Sequence, residues 1–208
     1  MIAGQRVVVD TGVSEYEPGE QRHYARSTKA HNTVSVDGGE QSEIWGAFRV
    51  ARRAKKRSAK AVHHKGGVEI SGSYEGFFNG NLSAAPRFRH NRQINVKFVK
   101  DGMAEIGVVD TIDPLSDKGT GRQHSIESYI HLHPDVGVSL SDTEEPELFV
   151  GDSRIGKLTI DSRFGVALQS SNYCPEFGVI QDASCIALKY SGELPVTLNY
   201  CFHFFAEK

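Results

Sequence analysis

The stretch from Asp10 to Arg53 holds the densest set of groups able to do chemistry, among them Asp10, Tyr24, Arg26, His31, Asn32, Trp45, Arg52 and Arg53. A carboxylate at a strand end and an imidazole about twenty residues later, beyond a loop, can meet on one rim, and mixed nitrogen and oxygen ligation suits zinc. Zinc sites use three or four protein ligands, so His23, Glu43 or His90 would have to complete the set. The alternative is that Asp10 caps a turn and His31 is a hydrogen-bonded, partly buried residue. The Arg26 guanidinium is able to grip a carboxylate or sulfate through two parallel hydrogen bonds, or to make an ordinary salt bridge. Asn32 and Thr33 suit side-chain bonds that tie a loop to the following strand. Trp45 is the only tryptophan; beside Gly46, its indole either stacks on a ligand ring or packs half-buried.

A second group is basic. Arg49, Arg52, Arg53, Lys55, Lys56, Arg57, Lys60 and Lys65, with His63 and His64, follow one another with no intervening acid. Such a run favours a polyanionic partner through long-range attraction and counterion release, or else it forms solvated strands with basic outward faces. The whole chain carries 24 Lys+Arg against 26 Asp+Glu, a net charge of -2. The charge is therefore a local patch, which argues against a general nucleic-acid binder. His131 and His133 share one strand face with no third ligand nearby, the pattern of an ordinary strand. Cys174, Cys185 and Cys201 are an odd count and do not form a disulfide framework. There is no Gly-rich phosphate loop, G-x-S-x-G elbow or CxxC pair.

The elements that must position these groups are short strands. Across 208 residues, with 38% hydrophobic, 24% charged and 21 Gly, long helical periodicity is missing. No apolar run approaches the roughly 20 residues of a spanning helix. Alternating or apolar runs at 6–10, 31–37, 68–74, 92–99 and 103–109 are bounded by turn residues, with Lys100-Asp101-Gly102 a hairpin signal. Further runs follow at 128–133, 136–140, 147–150, 157–160, 166–169, 185–190 and 196–205. Residues 14–29 read as a loop or short helical turn. Gly72-Ser-Tyr-Glu-Gly76 reads as a turn around Tyr74. Many short strands spaced near ten residues predict an all-β, antiparallel multi-stranded sandwich, one domain over 1–208. Val7-Val-Val-Asp10 reads as buried on both faces, yet begins almost at residue 1 with no lead-in. The expectation is a fragment lacking its first strands and a partner domain. Met1-Ile-Ala-Gly-Gln-Arg-Val7 shows no secretory apolar core.

The ordered series Val9-Asp10-x-Gly12, Arg22-x-Tyr24-x-Arg26-Ser-Thr28, Ala30-His-Asn-Thr-Val34 and Val36-Asp-Gly38-x-x-Gln41 resembles the C-terminal β-sandwich of the heparinase II/III-like polysaccharide lyases, a superfamily that includes oligoalginate lyases. The likeness is strong over about the first 55 residues and beyond them rests on the strand rhythm. It implies a lyase that cleaves uronate-containing polysaccharide by β-elimination, here without the family's N-terminal helical toroid. That toroid supplies the residues that neutralise the uronate carboxylate and move the C5 proton, so little activity is implied for this chain alone. The family's H-x-H-A-D segment, which carries one zinc ligand, is also absent. By resemblance Asp10 and His31 are the remaining zinc ligands, and Tyr24 faces the cleft as acid to the leaving oxygen. Arg26, Asn32, Trp45, Arg52 and Arg53 are then candidate substrate-binding residues. The implied partners are an acidic polysaccharide and an α/α-toroid domain, with no membrane, in a periplasmic or secreted setting. The alternative is a non-catalytic module that binds acidic glycan or packs against the toroid.

Overall fold

The computed structural model describes residues 2, 4–78, 87–99, 104–116, 121–140 and 145–205. After an extended leading segment come helix α1 (Glu20–Arg26) and a 3-10 turn (Thr28–Ala30). The strands follow: β1 (Val34–Val36), β2 (Lys55–His64), β3 (Gly67–Gly76), β4 (Phe88–Phe98), β5 (Ala104–Pro114) and β6 (His124–His131). They continue with β7 (Val136–Leu140), β8 (Pro146–Val150), β9 (Ser153–Ile160), β10 (Gly165–Tyr173), β11 (Gln181–Gly192) and β12 (Val196–Phe204). They form a four-stranded sheet in the order β1-β6-β11-β10 and an eight-stranded sheet in the order β2-β3-β4-β5-β12-β9-β8-β7. Every strand pairing is antiparallel.

The period-two pattern explains the layering. Along β12, Val196, Leu198, Tyr200, Phe202 and Phe204 are buried while Thr197 and Asn199 between them are exposed. Val108 and Ile112 of β5, Leu158 of β9 and Leu148 of β8 join that inner face. Ile126 and Ile130 of β6 and Ile186 and Leu188 of β11 meet them from the smaller sheet. Burying each such side chain contributes roughly 1.5–3 kcal/mol. The four central residues of β11, Cys185–Leu188, are all buried. Both faces of the smaller sheet are therefore covered: one by the larger sheet, the other by the segment around α1.

Three expectations are corrected. Residues 6–10 make an isolated bridge, Val8 to Leu132, rather than a ladder strand. Val7 is buried but Val8 is 42% exposed, so this run is not buried on both faces. Tyr74 lies inside β3, not in a turn: the glycines of Gly72-Ser-Tyr-Glu-Gly76 sit at paired strand positions opposite Arg92 and Phe88. The 31–37 run shortens to Val34–Val36, because His31 to Thr33 form the loop that reaches the site. The hairpin signal at Lys100-Asp101-Gly102 lies outside the described residues, as does Met103.

Candidate functional site

The groups gather on the outer face of the four-stranded sheet. The leading segment crosses that sheet at one end. Val9 N–H donates to the His131 carbonyl (3.0 Å), and His133 N–H donates to the Val7 carbonyl (2.9 Å). The chain next turns at Gly12 and meets the end of β10, where Cys174 N–H donates to the Thr11 carbonyl (2.7 Å). This crossing places the Asp10 carboxylate beside the loop after the 3-10 turn, with Asp10 Oδ2 2.7 Å from His31 Nδ1. Gly12 N–H donates to Asp10 Oδ1 (3.1 Å), and Thr11 Oγ1 donates to the Ala30 carbonyl (2.9 Å). Asp10 thus does cap a turn, and it also holds His31.

Asn32 ties the loop down. Its Nδ2 donates to the Val9 carbonyl (2.8 Å), while its Oδ1 accepts the His131 N–H (2.7 Å). Its own carbonyl accepts from Arg92 Nη1, which reaches through from the inner face of the larger sheet. Arg92 is bonded to buried Asp110, as is His90. Asn32 is therefore a structural tie at the centre of the site.

Helix α1 lies over β10. Tyr24 Oη sits 3.3 Å from Ser171 Oγ, and Ser171 Oγ sits 2.8 Å from His131 Nδ1. His131 Nε2 is 2.8 Å from the Lys29 carbonyl. Asp10, Tyr24 and His31 thus stand on one rim, linked through His131. On the other side of α1, a small hairpin runs from Glu43 to Arg52. Its tip docks on the helix, with Arg26 Nη1 donating to the Gly46 carbonyl and Arg22 Nε to the Ala47 carbonyl (3.2 Å). Trp45 is 69% and Phe48 68% exposed on that hairpin, so the indole is available to a ligand and does not pack. Arg52 pairs with Glu43 (2.8 Å) and lies 4.7 Å from the Phe77 ring centre. Arg53 is exposed just before the basic strand β2. All ten residues of β2, at the edge of the larger sheet, are exposed.

The electrostatics follow from these contacts. The hydrogen bond with Asp10 is the main cause holding His31 above the usual imidazole range, and the same bond holds Asp10 below the usual carboxylate range. Burial pushes His131 down and Tyr24 up. The raised His31 adds stability that is fully present below an ordinary pKa of 6.5 and fades as pH rises through its raised value. With both side chains about half exposed, the gain is heavily screened. Asp10→Asn is expected to return the His31 titration, followed by NMR, to the ordinary range. An unchanged titration would mean that the pair does not form in solution.

Asp10 and His31, the two zinc ligands implied by the resemblance, stand side by side. Among the described residues, no group of three His, Cys, Asp or Glu is placed to hold a metal ion. The three completing candidates are elsewhere: Glu43 pairs with Arg52, His90 is buried against Asp110, and His23 is exposed on α1. Two ligands do not fit a zinc site, which needs three or four. The pair His131-x-His133 also splits, with His131 on Ser171 and Lys29 and His133 near Asp135 (3.4 Å). Reading the sequence missed Ser171, His131 and Arg92 as parts of the site. Only Arg92 carried a signal, a charge at an inward position of β4; His131 and Ser171 lie on the outer face of the smaller sheet, where a polar residue is ordinary.

The family description "Heparinase II/III-like, C-terminal" matches residues 1–198. The chain belongs to this family. It is a heparinase II/III-like C-terminal domain, and its two antiparallel sheets match the C-terminal β-sandwich of heparinases. One similar solved structure is the heparan sulfate lyase HepC from Pedobacter heparinus, at TM-score 0.67 and 14% identity, covering 99% of this chain and 29% of that one. Another is heparinase III, the BT4657 gene product, at TM-score 0.66 and 15% identity, covering 97% of this chain and 28% of that one. At these identities the likeness shows the fold. This heparinase-like domain spans less than a third of those chains. No curated protein matches it significantly.

Proposed function

We propose that this domain forms part of a lyase that cleaves uronate-containing acidic polysaccharide by β-elimination. In that reaction the proton α to the uronate carboxylate is removed and the 4-linked oxygen leaves, giving an unsaturated sugar end. Tyr24 is assigned the proton work at the rim. Arg26, Arg52, Arg53 and Trp45 are assigned to holding the sugar chain, and Asn32 to fixing the loop between them. The supporting observation is that Tyr24 stands over buried His131 on the same rim as the Asp10–His31 pair. The exposed indole of Trp45 lies just across α1.

Neutralising the substrate carboxylate is assigned to a helical toroid domain outside this chain. A periplasmic or secreted setting suits such a substrate. Zinc is proposed at Asp10 and His31 only with a further ligand from outside the described residues, and no step of the reaction is routed through it.

The test is to mix the purified chain with heparan sulfate, heparin and alginate, following binding and the ultraviolet absorbance of unsaturated product. Binding that weakens with salt, with little product, is expected. Robust turnover by the chain alone would overturn the division of labour with a second domain. Failure to bind any uronate polymer at low salt would overturn the substrate reading. The second reading, a non-catalytic module for acidic glycan or domain packing, is favoured by β2, which exposes Lys55, Lys56 and Lys60 at a sheet edge. Binding that vanishes when these lysines are neutralised, but survives changes at Tyr24 and Arg26, would favour it.

A further inference from the structure

Beneath Tyr24, hydrogen-bond bookkeeping fixes the direction of a proton. His131 is 2% exposed and Ser171 7%, so no bulk water competes for their contacts. The Lys29 carbonyl can only accept, and it lies 2.8 Å from His131 Nε2; that nitrogen must carry the hydrogen. In a neutral ring Nδ1 is then bare and must accept, and its partner at 2.8 Å is Ser171 Oγ. A serine hydroxyl has one proton. Once it is given to His131, the remaining contact of Ser171, 3.3 Å to Tyr24 Oη, can only be an acceptance. The nearby Cys185 thiol does not disturb the assignment. It is 4.0 Å from Nε2, much farther than the carbonyl, its sulfur also contacts the Ile186 carbonyl, and burial pushes it up to about 11.

We propose that Ser171 and His131 are positioning residues that turn the Tyr24 hydroxyl proton inward and leave the phenol lone pairs facing the cleft. Its catalytic consequence rests on the lyase reading. Tyr24 then meets the substrate first as a proton acceptor, the reverse of the acid role expected from the sequence resemblance. As the substrate C–H bond breaks, its electron pair moves into the substrate and its proton binds Tyr24 Oη. The original phenol proton passes to Ser171 Oγ, and the serine proton passes to His131 Nδ1, leaving the ring protonated on both nitrogens. Returning the same protons outward supplies the one that the departing oxygen needs, so the protein ends unchanged. No oxidant or co-reactant is required.

The test uses the chain labelled with 15N-histidine, with the His131 signals assigned by their loss in His131→Gln. Long-range proton–nitrogen spectra at neutral pH should show hydrogen on Nε2 and a bare, hydrogen-bonded Nδ1. Ser171→Ala should shift the Nδ1 resonance toward its unbonded position and abolish exchange protection of the Tyr24 hydroxyl proton. Ser171→Thr, which keeps a hydroxyl, should restore both. A ring carrying hydrogen on Nδ1 overturns the proposal, as does an Nδ1 signal indifferent to Ser171→Ala. If the alanine variant does not fold, the tautomer of the wild-type ring and the threonine variant still decide. None of these readouts needs turnover, so a chain with the expected tautomer that binds no uronate polymer would sink the lyase reading alone.

Discussion

Replacing Asp110 by alanine is expected to cost about 3–5 kcal/mol of folding stability, read from urea unfolding of variant and parent. The carboxylate is fully buried, and three nitrogens converge on it: Arg92 Nε (2.7 Å), Arg92 Nη2 (2.7 Å) and His90 Nε2 (2.6 Å). Removing it strands a largely buried guanidinium without a counter-charge, and the cost of that orphan exceeds the worth of the pair itself. Asp110→Asn keeps the shape and one acceptor, so it should cost less. A loss below about 1 kcal/mol for the alanine variant would mean that water replaces the carboxylate. That result would contradict the closed environment around Arg92.

The same carboxyl dictates a pH response. Burial alone would raise it, but the charge of Arg92 and the hydrogen bonds from Arg92 and His90 outweigh burial and hold it at about 2, against an ordinary 3.8. A group depressed in the folded state adds stability that is complete above its unfolded value and is lost as pH falls through the folded one. The Asp110 contribution should therefore fade between about pH 4 and pH 2, and Asp110→Asn should flatten that limb. The effect reaches the rim, because Arg92 also holds the Asn32 carbonyl, and the Asn32 side chain spans Val9 and His131. His131 should shift when Asp110 is changed, although the two are on different sheets.

Much of the sandwich was legible because a strand with one buried face announces itself by alternation. The runs at 68–74, 92–99, 136–140 and 196–205 each fall largely within a strand of the structure. The leading segment misled for a physical reason. Three consecutive valines read as a strand buried on both sides, whereas one bridge at Val8 suffices to lay the segment across the sheet end. At the site, Asp10, Tyr24 and His31 were legible as chemistry, but their common support was not. Arg92 and Asp110 share the inward parity of Phe88, Ile94, Val108 and Ile112, an unusual position for charge. Nothing local says that a residue in β4 pairs with one in β5 and reaches a loop sixty residues earlier. Ser171 was hidden in the same way, as an unremarkable serine until α1 lies over it. Such contacts come from topology, which short-range pattern does not encode.

Gly12→Ala tests whether the rim is built into the sandwich or merely rests on it. Gly12 has φ +74°, a conformation costly for any residue with a Cβ, and an added Cβ would stand 2.2 Å from the Cys174 carbonyl oxygen. That oxygen is backbone at the end of β10, and the Cys174 N–H is already committed to the Thr11 carbonyl, so neither strand can yield without breaking the bridge. Conformational strain and the clash together should cost about 2–4 kcal/mol. Gly38→Ala separates the two causes. Gly38 also has a positive φ, +64°, but an added Cβ there meets nothing within 4 Å, so only the strain of about 1 kcal/mol should remain. The glycine variant at the rim should also move the site. Gly12 N–H donates to Asp10 Oδ1 while Asp10 Oδ2 faces His31, so displacing the turn loosens the pair and should return His31 toward its ordinary titration range. Equal costs for the two alanine variants, with the His31 titration unmoved, would mean that residues 10–12 shift independently of β10. The carboxylate and imidazole would then owe their meeting to a mobile segment, and the fixed rim on which Tyr24 and His131 share a face with them would be lost.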